Sequence, residues 1–262
     1  MKKTVLVTGA SSGIGMELAK IFASNGYNLV LVARRKAQLE KLSDELTKKH
    51  YSLTTIITKD LSQPTSPDEI FKELKEKEIQ IDILVNCAGT QIYGEFQKTD
   101  IEKELQLIQI NIISLTHLTK LAIEEMMKRG TGKILNIGST GSFAPAPLNA
   151  IYCATKAYVL NFSEGIATDL KGTGISVTTL CPGATRTEFA EKAKIQNTRL
   201  FNLSVMSAEK VAEIGYKALI KGKRVEIAGM SNKILAFSIR FIPRWLVLKT
   251  GKMLMSPKVK RV

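Results

Sequence analysis

Thr4-Val5-Leu6-Val7-Thr8-Gly9-Ala10-Ser11-Ser12-Gly13-Ile14-Gly15, close to the start of the chain, decides how the rest is read. Val5–Thr8 is a short, β-branched strand, and Gly13–Asn25 continues as a helix with Ile14, Leu18, Ile21 and Phe22 on one face. Between them lies a turn of pattern Gly-x-x-x-Gly-x-Gly. A helix N-terminus presents unpaired N–H groups and the positive end of the helix dipole, so a turn placed there suits the pyrophosphate of a dinucleotide. Glycine lets the chain turn tightly and lets its backbone approach the phosphates. Gly9, Ser11, Ser12, Gly13, Ile14 and Gly15 are therefore candidate phosphate contacts. The plainer alternative is a strand-to-helix turn without a ligand.

Strand-like and helix-like segments alternate from there on. Leu29–Ala33, Leu53–Thr58, Ile83–Asn86, Lys133–Gly138, Ile175–Cys181 and Arg224–Ala228 read as strands. Lys36–Lys49, Ser66–Lys77, Ile101–Lys128, Ile151–Lys171 and Ala208–Lys221 read as helices, the last preceded by Ser207 as a cap. Strands this apolar suit a sheet covered on both faces. Ile101–Lys128 is long for one helix and is expected to bend near Asn111. No linker, repeat or low-complexity segment interrupts the chain before Gly229. The expectation is a single-domain α/β fold over residues 1–230, a Rossmann-like doubly wound parallel sheet of about seven strands with helices on both faces. A basic, amphipathic helical extension, residues 231–262, would pack on the domain or on a membrane or partner.

At the end of the second strand, where an acid would bind the adenosine ribose hydroxyls of NAD, the chain has Ala33-Arg34-Arg35-Lys36. An acid there would repel a 2′-phosphate, whereas arginine clamps one with charge-assisted hydrogen bonds. Arg34 and Arg35 thus point to NADPH over NADH, unless they are only a solvated cluster at a helix start. Further on, Tyr152 and Lys156 stand four apart and share one helix face. An ammonium beside a phenol favours the phenolate, which makes an acid/base for a carbonyl or hydroxyl oxygen. Ser139, at a strand end, could hold the same oxygen. Alone, such a pair also arises by chance on a solvent-facing helix.

With these residues in place, the sequence resembles a core member of the short-chain dehydrogenase/reductase family over roughly residues 1–230. The motifs stand in family order: Thr8-Gly9-(x)3-Gly13-x-Gly15, Asp60-Leu61, Asn86-Cys87-Ala88-Gly89, Asn111, Ser139, Tyr152-(x)3-Lys156 and Pro182-Gly183. The resemblance implies an NADP(H)-dependent oxidoreductase that interconverts a ketone or aldehyde with an alcohol by hydride transfer. It implies Tyr152 as acid/base, with Ser139 orienting and polarising the substrate oxygen. Lys156 would hold the nicotinamide ribose and lower the tyrosine's pKa, and Asn111 would support a water linking Lys156 to solvent. Asp60 and Leu61 would meet the adenine, and Asn86, Ala88 and Gly89 would line the adenosine side. Pro182, Gly183, Thr185 and Thr187 complete the implied cofactor contacts, Thr187 reaching the carboxamide or phosphates. Plainer readings remain for Asn111, as a core amide, and for Asp60, as a strand-end turn. One departure is Cys87, where family members often carry asparagine; the change is expected to touch local structure more than chemistry. A non-catalytic NADP(H)-binding scaffold or redox-sensing regulator would need no complete tetrad. An epimerase or dehydratase would need a further base or an extended substrate domain. Family members commonly pair through the helices at 101–128 and 151–171, which implies a homodimer or homotetramer.

Composition is that of an ordinary globular chain, with 44% hydrophobic and 24% charged residues. The apolar run after Met1-Lys2-Lys3 spans only Val5-Leu6-Val7, so no export signal is expected. Cys87, Cys153 and Cys181 lack metal-like spacing and read as free thiols of a reducing cytoplasm. His50 and His117 stand alone, so no metal site is expected. Of the net charge of +14, eight units come from Lys233, Arg240, Arg244, Lys249, Lys252, Lys258, Lys260 and Arg261, in a stretch without an acid. No nucleic-acid-binding module accompanies them. Apolar bursts at 234–242 and 245–255 interleave with these cations, and Pro243 can start a second helix. Either the apolar faces close over the substrate cleft or a neighbouring subunit, or the segment lies on the anionic inner surface of a membrane with Trp245 at the interface. Substrate choice is expected to rest on Ala184–Met206, Phe143–Leu148, Ile92–Phe96 and part of the tail. Phe143, Pro145, Pro147, Leu148, Phe189, Phe201, Leu203 and Met206 would form an apolar wall suited to an aliphatic or acyl-chain carbonyl. Sugars, steroids and xenobiotic ketones are not excluded by sequence.

Overall fold

The computed structural model describes residues 2–202 and 205–257. β1 (Thr4–Thr8) passes through the glycine turn into α1 (Gly13–Ser24), followed by β2 (Asn28–Ala33), α2 (Lys36–His50), β3 (Thr54–Thr58), α3 (Ser66–Glu76) and β4 (Ile83–Asn86). Next come α4 (Ile101–Ile108), a π-turn at Gln109–Ser114, α5 (Leu115–Arg129), β5 (Gly132–Ile137), α6 (Ala150–Asp169) and β6 (Ile175–Cys181). The remainder is β7 (Thr185–Arg186), α7 (Glu188–Lys192), β8 (Met206–Ser207), α8 (Ala208–Ile220), β9 (Val225–Ile227), α9 (Met230–Ser238) and α10 (Arg244–Met255).

Seven strands form one parallel sheet in the order β3-β2-β1-β4-β5-β6-β9, which is the doubly wound sheet expected from the alternating pattern. The chain builds outward from β1 to β3, then crosses back to set β4 on the other side of β1. The C-terminal ends of β1 and β4 therefore part at the point where such sheets bind ligands. Alternation along each strand fills both layers. Val5, Val7, Leu29, Leu31 and Val85 face α1, α2 and α8, whereas Leu6, Val30, Val32, Leu84 and Ile134 face α3, α5 and α6. Leu6 and Phe22 are fully buried, and such burial is worth roughly 1.5–3 kcal/mol per side chain.

Two segments differ from the sequence reading. The expected bend near Asn111 is a π-turn, whose extra residue turns Asn111 inward while the helix continues as α5. Residues 184–206 are not a plain loop: β7 and β8 pair across its base, and α7 lies between them. Both strands have only two residues, too few for a periodic pattern to register. Pro243 precedes α10 as expected, and Val247 and Met255 of α10 and Ala236 of α9 are buried against the domain. Leu203, Lys258, Lys260 and Arg261 lie outside the described residues.

Candidate active site

At the end of β1 the backbone packs so closely that side chains are excluded. Gly9 has φ of 68°, and a Cβ there would lie 2.9 Å from the Ala88 Cα; a Cβ on Gly15 would lie 2.5 Å from the Gly9 carbonyl oxygen. Thr8, the first residue of the glycine motif, locks this junction. Its hydroxyl donates to the Val85 carbonyl (3.2 Å) and accepts from the Cys87 (3.0 Å) and Ala88 (3.1 Å) N–H groups. The ends of β1 and β4 are thus tied without an amide side chain at position 87. Burial pushes the Cys87 thiol up to about 12, so it stays a neutral wall residue. Ser12, before α1, makes no side-chain cap, leaving the first-turn N–H groups of α1 for a ligand.

From this turn a cavity of about 940 Å³ runs along the strand ends to the C-terminal helices. That is the upper end of the range for small-molecule sites. Every residue expected to hold the cofactor lines it except Asn86 and Asn111. Asn86 is the first exception. Its amide lies beneath the cleft, donating to Thr119 Oγ1 and Asn136 Oδ1 (both 2.9 Å), so it joins β4 to α5 and β5. The period of two could have shown this, because Asn86 shares the face of Leu84, which packs on the α5 side. Asn111 is also fully committed. Its Oδ1 accepts from the Thr90 N–H (3.0 Å), and its Nδ2 donates to the Thr90 carbonyl (3.0 Å) and Thr155 Oγ1 (3.1 Å). It clasps the segment after β4 and braces it against α6.

The two arginines take different roles. Arg34 reaches the Asp60 carboxylate at 3.7 Å and is largely exposed. Asp60 also accepts from the Ser62 N–H (3.0 Å), so it is part strand-end turn and part cleft wall. Arg35 bridges the cleft: its guanidinium donates to Ser11 Oγ (3.1 Å) and carbonyl (3.3 Å), and to Glu188 Oε2 (2.8 Å) on α7. Burial would raise the Glu188 carboxyl, but the hydrogen bonds from Arg35 and Lys192 outweigh it and hold the group below its ordinary value. Glu188 was not singled out in the sequence; it stands 153 residues from its partner, and no local pattern marks it.

Ser139 follows β5, while Tyr152 and Lys156 project from the first turns of α6. Ser142, also unremarked, fastens these parts together: its hydroxyl accepts from the Ser139 N–H (3.2 Å) and donates to the Lys156 carbonyl (2.7 Å). The Ser139 hydroxyl accepts from the Gly141 N–H (3.0 Å). Lys156 is buried, and its Nζ donates to the Ile137 carbonyl (2.7 Å) and lies 5.8 Å from the centre of the Tyr152 ring. Desolvation lowers its pKa from 10.5 to about 8. Burial raises the Tyr152 phenol well above its ordinary value, and the nearby Ser139 hydroxyl only partly opposes this. The Lys156 ammonium thus donates to the Ile137 carbonyl, and among the described residues no hydrogen bond joins it to the Tyr152 phenol.

Beyond Tyr152 the cavity becomes apolar. Ala190, Ala193, Ile195 and Met255 form a buried cluster against Tyr93, Ala146, Leu148, Leu200 and Phe201. The Tyr93 hydroxyl donates to the Met255 carbonyl, closing α10 onto the loop after β4. Leu148 holds φ of 65°, an uncommon conformation for a bulky residue, and its carbonyl accepts from the Gly94 N–H (2.9 Å). Of the expected wall, Pro145, Phe189 and Phe201 line the cavity, whereas Phe143, Pro147, Leu148 and Met206 do not. Ile239, Ile242, Val247 and Leu254 from the tail complete it.

A parallel sheet reversing between β1 and β4, with a glycine turn on one side of the cleft and a serine, tyrosine and lysine on the other, defines a dinucleotide-dependent oxidoreductase. The chain belongs to the short-chain dehydrogenase family, whose model matches residues 3–198. It is 37% identical over 197 residues to the oxidoreductase UcpA of Escherichia coli K12, an alignment that covers 74% of each chain. It is 35% identical over 211 residues to the very-long-chain 3-oxoacyl-CoA reductase of Aspergillus terreus, covering 77% of this chain and 59% of that one. A short-chain dehydrogenase from Sphingobium yanoikuyae in complex with NADPH superposes with a TM-score of 0.82 at 35% identity, covering 90% of this chain and 92% of that one.

Proposed function

We propose that the chain is an NADPH-dependent carbonyl reductase acting on an apolar, acyl-chain-like ketone or aldehyde. The observation that carries this is a single cavity with Ser139, Tyr152 and Lys156 between a phosphate-type glycine turn and an apolar chamber. NADPH held by the glycine turn and Lys156 would supply the hydride for the carbonyl carbon. Gly9 and Gly15 let the turn pack tightly and leave the first-turn N–H groups of α1 free for a pyrophosphate, and Arg34 and Arg35, lining the same cavity at the end of β2, would clamp a 2′-phosphate. The NADPH complex of the Sphingobium relative supports the same preference.

Tyr152 delivers a proton to the carbonyl oxygen. Its raised pKa keeps it a protonated acid at neutral pH, the form reduction requires. Ser139 donates a hydrogen bond to the same oxygen as negative charge develops on it. Lys156, protonated below about 8, holds a positive charge beside the phenolate that proton transfer leaves. Asn111 positions Thr90 and α6 rather than touching the reacting atoms. The acyl-chain reading rests on the walls of the chamber, and the similarity to a 3-oxoacyl-CoA reductase agrees with it. For self-assembly, exposed Ile101, Leu105, Ile113 and Tyr158 on α4, the π-turn and α6 support pairing through these helices.

NADPH and NADH consumption are to be compared across a series of 3-oxoacyl thioesters and straight-chain ketones of increasing length. Faster turnover of NADPH, with KM falling as the chain lengthens, is expected. Preference for NADH, or for short hydrophilic carbonyls, would overturn the assignment.

A further inference from the structure

The two C-terminal helices have two distinct apolar faces. Inward, Ile239, Ile242, Val247, Leu254 and Met255 roof the chamber. Outward, α9 and the turn after it carry Met230, Ile234, Phe237 and Phe241, spaced at i, i+4, i+7 and i+11, and all four are exposed. Phe237 and Phe241 are 62% and 74% exposed, and their rings pack edge to face at 5.2 Å. On α10, Trp245, Leu248, Lys249 and Lys252 recur at i, i+3, i+4 and i+7, with Trp245 66% exposed. A monomer gains nothing from leaving this many large apolar side chains in water.

Charge says what covers them. Arg240, Arg244, Lys249 and Lys252 interleave with the apolar residues, no acid occurs from Gly229 to the end of the sequence, and among the described residues none of these four forms an ion pair. Among the described cations of the tail, Lys233 alone is neutralised, by Glu226 at 2.6 Å. A two-fold contact with a second copy would set this face against itself and bring like charges together without a countercharge. Aromatic and aliphatic groups flanked by cations match a surface of anionic headgroups over acyl chains. No described helix is long and apolar enough to cross a bilayer, so the contact is peripheral.

We propose that the outer faces of α9 and α10 dock on an anionic lipid bilayer, which places the roof of the substrate chamber against the membrane. The docking does not depend on the reaction assigned above, and its test is independent of activity.

The full-length protein is to be floated with vesicles of phosphatidylcholine alone and with vesicles containing phosphatidylglycerol. Deleting the tail would be a poor test, because Ala236, Val247 and Met255 are part of the core. Phe241→Glu combined with Trp245→Glu changes only exposed positions outside the cavity, as does a second variant, Lys249→Gln with Lys252→Gln. Wild type should float with the anionic vesicles and be released as salt rises from about 0.1 to about 1 M, which shortens the screening length from about 10 to about 3 Å. Each variant should bind at least roughly tenfold more weakly while its melting temperature is retained. Absence of flotation, or equal flotation of wild type and both variants, overturns the proposal. Light scattering adds another refuting outcome: an oligomer dissociated by Phe241→Glu/Trp245→Glu without vesicle binding would assign the face to a second copy.

Discussion

Lys156→Met should uncouple the stability of the unliganded protein from pH in a predictable direction. The buried ammonium has its pKa lowered from 10.5 to about 8. Below pH 8 both folded and unfolded chains hold the proton, and the folded state carries the whole cost of desolvating the charge, about 3 kcal/mol for that displacement. Between pH 8 and 10.5 the unfolded chain keeps the proton while the folded chain releases it. The unfolded state then binds more protons, so stability rises with pH. Replacing the lysine removes this contribution but leaves the Ile137 carbonyl without its donor, a cost that does not vary with pH. The informative quantity is therefore the difference between wild type and variant, followed from pH 7 to 10. Wild type should gain about 2–3 kcal/mol on Lys156→Met over this interval, roughly 5–10 °C in melting temperature for a chain of this size. Stopping at pH 10 limits interference from Tyr152, whose raised pKa would cost stability as pH rises past the ordinary phenol value. Calorimetry without cofactor provides the assay. A difference that stays flat from pH 7 to 10 would refute the reading of Lys156 as a desolvated charge.

Glu188→Gln removes the carboxylate that occupies Arg35 and should tighten NADPH binding by roughly three- to tenfold in titration calorimetry; unchanged or weaker binding would show that Arg35 does not meet the 2′-phosphate. Asn86→Ala loses two buried hydrogen bonds and should cost about 2–4 kcal/mol in denaturant unfolding, while NADPH affinity at low temperature stays within about twofold. Gly15→Ala sets a methyl group 2.5 Å from the Gly9 carbonyl. Because that contact is to backbone, the turn must move, and NADPH binding should fall at least roughly tenfold with a loss of about 1–3 kcal/mol in stability.

The sheet was legible because Val5–Thr8, Leu29–Ala33 and Ile83–Asn86 are short, apolar and separated by helices of clear period, and two-sided burial leaves few other arrangements for such strands. The glycine turn was legible for a steric reason, since the close approaches at Gly9 and Gly15 admit no Cβ. An asparagine at a strand end looks the same in sequence whether it faces the cleft or the helix below; only the register of Asn86 with Leu84 separates the two. The Arg35–Glu188 pair and the Tyr93–Met255 closure join residues far apart in the chain, and neither leaves a local pattern. The protonation of Tyr152 could not be read from its spacing to Lys156. That spacing brings the two side chains to one face, but burial and the competing Ile137 carbonyl decide where the ammonium goes.

The role proposed for Tyr152 is to donate the proton in an NADPH-dependent carbonyl reduction. The most direct measurement follows NADPH oxidation by Tyr152→Phe under single-turnover conditions, alongside NADPH affinity by calorimetry. The affinity should stay within about threefold of wild type while the rate falls by roughly a hundredfold or more, the usual worth of a positioned acid. A variant that binds NADPH equally well and reduces the ketone at the wild-type rate would contradict it.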